Sequence, residues 1–196
     1  MIRYICNMKA KAVKNMKLLI ASDIHGDLEC CKRIIEVFNE EKCDKLVLLG
    51  DILYHGPRND LPGGYAPKGV IELLNANKEH ILAVRGNCDT EVDQMVLSFP
   101  ILADYAYIAV DGLSILATHG HKLNTETPPP MKEGEILLHG HTHITCYTPF
   151  GNSNLYINPG SVSIPKGGNP RTYIIYENRC FTTYDLDGNT TDSITV

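Results

Sequence analysis

Short apolar runs that stop at polar clusters recur along the chain: "KLLIAS" (17–22), "KLVLLG" (45–50), "HILAVRG" (80–86), "LSILAT" (113–118) and "EILLHG" (135–140). They are too continuous for strands with one wet face and too short for helices, which predicts strands covered on both faces. Between the early runs, "DLECCKRIIEVFNEEKC" spaces Leu28, Cys31, Ile34, Ile35 and Phe38 at intervals of three and four, the pattern of an amphipathic helix. "APKGVIELLNAN" and "DTEVDQMVLSF" predict shorter ones. Alternating strands and helices make βαβ units and a mainly parallel sheet. In the second half the helical period fades. There "YAYIAV", "NLYINPG", "TYIIYEN", "CFTTYDL" and "DSITV" predict further strands, separated by turn signals such as the "DG" pairs at 111–112 and 187–188. The economical architecture is an α/β layer fused to a second sheet that shares its core.

The chemistry lies at the ends of these runs. Asp23 with His25, then Asp51, Asn87, His119, and His141 with His143 all stand just past a predicted strand. In open α/β sheets the carboxyl ends of strands converge on one crevice, so these residues are expected to meet. Imidazole nitrogen and carboxylate oxygen suit Mn²⁺, Fe and Zn²⁺. The set is too large for one closed tetrahedral site and suffices for two ions with open positions, if one carboxylate bridges. Such a pair, ~3.5–4 Å apart, clamps a phosphoryl group and turns a shared water into hydroxide at neutral pH. Hydrolysis of a phosphate ester is the natural task. Asp51 follows its strand with only Gly50 between, a rigid position for a bridging carboxylate. His141 and His143, one residue apart, can point the same way from an extended segment.

Composition narrows the partners. A chain of 196 residues buries one substantial core, so one domain is expected over residues 16–196. The net charge of -5 disfavours bulk nucleic-acid binding, which needs a basic face for phosphate contacts, and admits a small phosphate ester. The seven cysteines form an odd set without a CxxC pair, which fits a reducing cytoplasm. No apolar run approaches the roughly 20 residues that cross a bilayer, so no membrane span is expected. Residues 1–15, "MIRYICNMKAKAVKN", read as a loose basic extension rather than a secretory signal.

In order, "DIHG", "LGD", "RGNCD", "THGH" and "GHTH" resemble the signatures of the calcineurin-like metallophosphoesterases. The longer stretches "LYHGPRNDLPGGYAP", "AVRGNCDTEVDQM" and "NPGSVSIPKGGNP" are similar to the small bacterial phosphodiesterases of the YfcE type. The resemblance implies an αββα sandwich, two facing mixed sheets flanked by helices, with a dinuclear centre at one edge. It implies Asp23, His25 and His143 at the first metal, Asn87, His119 and His141 at the second, and Asp51 bridging. Two divalent ions are implied, Mn²⁺ foremost, with Zn, Fe, Ni or Mg as alternatives. The implied reaction is hydrolysis of a small phosphodiester by in-line attack of a hydroxide bridging both ions, in a chain that forms a dimer or tetramer. Phosphomonoester hydrolysis is the alternative activity. The same fold also serves as a protein-binding scaffold in vesicle coats, where the metal site is eroded; here none of the seven residues is missing.

Three residues are assigned substrate or leaving-group contacts. His55 and Arg58 stand in the Gly- and Pro-rich loop 54–67, which is expected to act as a lid directly after Asp51. Cys88 replaces the histidine that many relatives carry after the metal-binding asparagine. A thiol with an ordinary pKa of ~8.5 is a weaker donor than an imidazolium and brings no positive charge to the phosphate. Its presence tilts the expectation toward diesters with good leaving groups. His121 is expected beside the second metal, and His139, within its strand run, as a structural histidine.

Overall fold

β1 (Leu18–Ala21), β2 (Lys45–Leu48) and β3 (Ile81–Ala83) form on the first three apolar runs and pair in parallel. This computed structural model describes residues 15–196. Of the basic extension expected at 1–15, all but Asn15 lies outside the described residues. The parallel strands continue into β9 (Thr172–Glu177), β10 (Cys180–Asp185) and β11 (Thr190–Thr195), which return from the far end of the chain and pair antiparallel. The first sheet therefore runs β11-β10-β9-β1-β2-β3. The second contains β4 (Tyr105–Val110), β5 (Leu113–Thr118), β6 (Ile136–Leu138), β7 (Thr145–Phe150) and β8 (Asn154–Pro159), in the order β4-β5-β6-β8-β7.

Both sheets are mixed, and they face each other across one apolar layer. Leu18, Ile20, Val47 and Leu49 meet Ile115, Ala117, Ile136, Leu138 and Ile157 there. The alternate residues Leu19, Ala21, Leu46 and Leu48 point to the other face, against Cys31, Ile34 and Phe38 of α1 (Leu28–Glu40) and Val70 and Leu74 of α2 (Pro67–Ala76). Two covered faces explain why the runs lack polar alternation. Each fully buried Leu or Ile contributes about 1.5–3 kcal/mol. All buried helical residues join this second cluster, on the outer face of the first sheet. On the outer face of the second sheet, Tyr107 Oη donates to the carbonyl of Pro130, in the segment that leads into β6.

Local signals fix the boundaries. The Asp27 carboxylate caps α1 by accepting from the Cys30 amide at 3.0 Å. Pro67 opens α2. Thr90 and Asp93 form a capping box on α3 (Glu91–Val96), which is shorter than its apolar pattern suggests because Leu97, Phe99 and Ile101 leave the helix to enter the core. The 111–112 "DG" pair takes positive φ at both positions and closes the β4–β5 hairpin as a primed turn. Strand β7, "TCYTPF", has no counterpart among the runs of the sequence. It is an edge strand, which is where Pro149 is tolerated.

Candidate metal centre

Because β1, β2 and β3 are parallel, and β5 and β6 are parallel, all five deliver their following loops to the same edge of the sandwich. The loops after β1 and β2 extend the sheet as a ladder: Asp23 N donates to Gly50 O at 3.1 Å, and His25 N to Asp51 O at 2.9 Å. Asp23, His25, Asp51, His141 and His143 all adopt left-handed backbone, with φ of 58°, 49°, 53°, 66° and 61°. The remaining described non-glycine residues with positive φ are Lys42, Asp111, Asn178 and Arg179, at turns. Such conformations cost roughly 1–3 kcal/mol each and persist where the surroundings enforce them. Here they gather on five of the seven expected ligands.

Three imidazoles have their orientation and tautomer set by the backbone. His25 Nδ1 lies 2.8 Å from Tyr54 O, His119 Nδ1 2.7 Å from Leu49 O, and His143 Nδ1 2.7 Å from Ile164 O. A carbonyl only accepts, so each Nδ1 carries the proton and each Nε2 presents a lone pair. Those lone pairs face one another, carboxylate and amide oxygens, and the ring of His141. His25 Nε2 stands 3.4 Å from His143 Nε2 and 3.6 Å from Asp23 Oδ1, and His143 Nε2 is 3.1 Å from the same oxygen. His119 Nε2 is 3.0 Å from Asn87 Oδ1 and 3.1 Å from His141 Nδ1. Asp51 Oδ2 joins the halves, 3.8 Å from His25 Nε2 and 3.5 Å from His119 Nε2. Asp23 Oδ1 is buried without a hydrogen-bond partner. Converging acceptors around an orphaned buried carboxylate oxygen fit a cation, and the donor set is that of a hard-to-borderline divalent metal.

Electrostatics follows the same division. Burial raises the cost of ionising Asp23, yet a proton on Nε2 of His143 or His25, standing where a cation would, holds its carboxyl well below the usual carboxylate range. Burial disfavours charge on His25, but Asp23 outweighs it and its pKa is raised. His141 is lowered by burial and by the neighbouring His119.

A surrounding shell holds these groups. Asp89, quoted in the motif but given no part by the sequence, accepts Asp51 N at 2.9 Å, Ile52 N at 2.9 Å and Gly86 N at 2.7 Å. It thereby ties the Asp51 loop to the Asn87 loop. Burial pushes its pKa up to about 6. Ser161 and Ser163 both donate to the Asp23 carbonyl, at 2.9 and 2.8 Å. With Ile164 O on His143, the "NPGSVSIP" segment folds back to support the "GHTH" loop. Asn158 Nδ2 reaches Gly140 O and Thr142 Oγ1. Gly86 and Gly140 are required by close approach, since a Cβ at either would collide with Asp51 or with Ser22 and Asp23.

The remaining expected residues are distributed unevenly. Cys88 is at the centre: its amide donates to Asp51 Oδ1 at 2.7 Å, and its thiol lies with His25 and Asp51 in one group of donor atoms within 4.8 Å of one another. The thiol also accepts from Asn87 Nδ2 at 3.2 Å, which turns Asn87 Oδ1 toward His119. Burial, then Asp51, pushes its pKa up. His55 is half-buried, edge-on to Tyr54 and Tyr65 with ring centroids at 4.7 and 5.4 Å. Arg58 is exposed on the same loop. Neither is brought into the cluster of lone pairs. His121 packs 5.3 Å from His119, its pKa lowered to about 4 by burial and by His119. His139 stacks on Tyr156 at 4.2 Å, a packed histidine whose burial lowers its pKa to about 4.

Strand-end carboxylates and imidazoles on two facing mixed sheets define the class. Residues 16–179 match the calcineurin-like phosphoesterase superfamily domain, and the chain belongs to that family. Phosphodiesterase YfcE of Escherichia coli K12 is 48% identical over 163 residues, 83% of this chain and 88% of the relative. A solved structure described as YfcE, a phosphoesterase from E. coli, superposes with a TM-score of 0.89 at 44% identity, covering 92% of this chain and 99% of the other. Vacuolar protein sorting 29 from Cryptosporidium parvum shares the fold, with a TM-score of 0.61 at 17% identity over 93% of this chain and 99% of its own. Membership of a metallophosphoesterase family makes a divalent metal the expected partner of the clustered donors. Among the described residues no helix is long and apolar enough to cross a membrane.

Proposed function

We propose that this chain is a metal-dependent phosphodiesterase acting on small phosphodiesters. Two divalent ions, manganese foremost, would be held by Asp23, His25 and His143 on one side and Asn87, His119 and His141 on the other, with Asp51 between. The observation that carries the reading is the convergence of lone pairs on three rings whose Nδ1 protons are committed to backbone carbonyls. The 48% identity to a protein named phosphodiesterase supports it. When bound, such ions supply Lewis-acid charge to phosphoryl oxygens and a water-derived nucleophile at neutral pH.

The chain's own residues determine which esters benefit. His25, His119 and His143 keep their Nδ1 protons on carbonyls, so none can pass that proton to a leaving oxygen. His121, lowered to about 4, is neutral at pH 7. Cys88 brings no positive charge, since a thiol is neutral or anionic. With no imidazolium poised beside the phosphate, alkyl monoesters lack the acid they need most, and diesters with stable leaving groups suffer least. This favours diesterase over monoesterase activity. The scaffold reading has less support, because all seven donor positions are filled and oriented.

The same proposal treats residues 16–196 as one catalytic domain. It places the chain in the cytoplasm, where its unpaired cysteines belong, as a homo-oligomer without bulk nucleic acid as partner. The test is a panel of mono- and diesters assayed with Mn²⁺, Mg²⁺, Zn²⁺ and Ni²⁺, alongside metal content by mass spectrometry. Diester turnover with Mn²⁺, at least about tenfold above monoester turnover, is expected. Two bound ions with no hydrolysis of any ester would return the scaffold reading.

A further inference from the structure

A hollow of about 390 Å³ has Cys88 in its lining. Its walls are carbon-rich: Tyr54, Tyr65, and Val92 and Val96 of α3 line it together with Cys88. The polar groups in the wall, Thr90 and Asp93, are committed to each other, with Thr90 Oγ1 donating to Asp93 Oδ2 at 2.8 Å and Thr90 N to the same oxygen at 2.7 Å. The aromatic side is preformed, because His55 stands edge-on to both tyrosine rings. Tyr54, Val92 and Val96 are nevertheless 42%, 69% and 43% exposed. Val92 and Val96 are four apart, on one face of α3, so they present a single apolar surface to the hollow. A concave apolar surface of this size, left open to water, fits a small ligand better than a random patch of surface does.

We propose that this hollow is the leaving-group pocket of the diester site, and that it selects phosphodiesters whose departing alcohol carries a flat, apolar, aromatic group. The proposal deepens the phosphodiesterase reading and rests on it. Continuity is the argument: Cys88 lines the hollow and also lies among the His25 and Asp51 donor atoms. A phosphoryl group in the cradle would therefore have one ester oxygen directed past the thiol toward Tyr54 and Val96. This gives the substitution of histidine by Cys88 a second consequence. A small, uncharged thiol keeps the boundary between cradle and hollow apolar, where a charged ring would not.

The test uses two non-hydrolysable anions, phenylphosphonate and methylphosphonate, binding to the full chain with saturating Mn²⁺, followed by calorimetry. Phenylphosphonate is expected to bind at least about tenfold more tightly, the effect of burying one ring. Val96→Asp should bring the two affinities within about twofold of each other while methylphosphonate affinity stays near the parent value. Val92→Asp, at a more exposed position, repeats the test if the first variant folds poorly. Equal affinities in the parent protein, or equal weakening of both anions in the variants, would overturn the pocket. So would a change in sedimentation mass without a change in the affinity ratio, which would mean that a second copy of the chain covers the patch. Hydrolysis of bis(p-nitrophenyl) phosphate is measured in parallel. Selective phenylphosphonate binding without turnover upholds the pocket and overturns the diesterase reading; turnover without selectivity does the reverse.

Discussion

The two halves of the cradle are built differently. Asp23, His25 and His143 are at most 3% exposed, and each is fixed from behind by backbone or serine groups. On the other side His119 is equally buried, but Asn87 is exposed and His141 half-buried. Asn87 is oriented by the Cys88 thiol, and His141 by its amide, which donates to Asp23 Oδ2 at 3.0 Å, and by its Nδ1, 3.1 Å from His119 Nε2. A buried carboxylate facing lone pairs carries a large desolvation cost that a cation relieves. The enclosed half is therefore expected to hold its ion tightly, and the open half to exchange its ion and meet substrate.

Asp51 belongs to both halves, so its loss should have the largest effect. Asp51→Asn keeps an oxygen able to accept the Cys88 amide but removes the charge between His25 and His119. A fall in diester kcat/KM on the order of a thousandfold or more is expected, with fewer than two ions per chain. An Asn variant that retains two ions and most of its turnover would remove Asp51 from the bridge.

The comparison is tested directly by removing one imidazole from each half. His143→Ala should lower turnover more than His141→Ala, since it empties an enclosed position and strands Asp23 Oδ1. His141→Ala should keep about one ion per chain through dialysis against a chelator that strips the open half. Equal ion loss in the two variants would show that burial does not rank the halves.

The residues that converge were legible because each follows an apolar run, and seven such placements at strand ends are hard to explain by packing alone. The first sheet's parallel core was legible for the same reason. The return of β9, β10 and β11 to that sheet was not, because strand patterning says nothing about which partner a late strand joins. Strand β7 was hidden by Thr148 and Pro149, which only an edge position accommodates. Least legible was the backbone: nothing in "DIHG" or "GHTH" announces left-handed φ at aspartate and histidine, a conformation accompanied by the ladder between the first two loops and, at "GHTH", by the bond from the His141 amide to Asp23. Asp89 was visible as part of a motif, but its three amide partners are brought together only by the fold.

Asp89 connects the halves, so its substitution should give the next smaller effect. In Asp89→Asn one carboxylate oxygen becomes an amide nitrogen facing backbone N–H groups, and at least one of three bonds is lost. A loss of about 10–100-fold in activity is expected, the usual result of disturbing a group that orients metal ligands. Stability should fall by about 1–3 kcal/mol for the unsatisfied buried amide. If the clamp acts through the Asn87 loop, the open half's ion should weaken more than the enclosed one, which metal titration by calorimetry resolves as two separate constants.

The smallest effect expected on the parent reaction is also the most specific. Cys88 stands where the halves meet, with its amide on Asp51, its thiol among the donor atoms of the enclosed half, and Asn87 of the open half held by that thiol. Cys88→His exchanges a neutral, weakly donating group for a ring able to carry a proton. General acids of this kind contribute about 10²–10⁴-fold to ester cleavage, most where the leaving group is poor. The ring must compete for space, since a Cβ at Gly56 would already touch the thiol, and Asn87 loses the acceptor that turns its oxygen inward. Only part of the gain should therefore appear, as a rise of roughly tenfold in the ratio of monoester to diester kcat/KM. The absolute diester rate should fall, because the open half loses its orienting contact. An unchanged ratio together with an unchanged second-ion affinity would assign Cys88 to packing alone. A shifted ratio at constant affinity would separate the chemistry of the leaving group from the placement of Asn87.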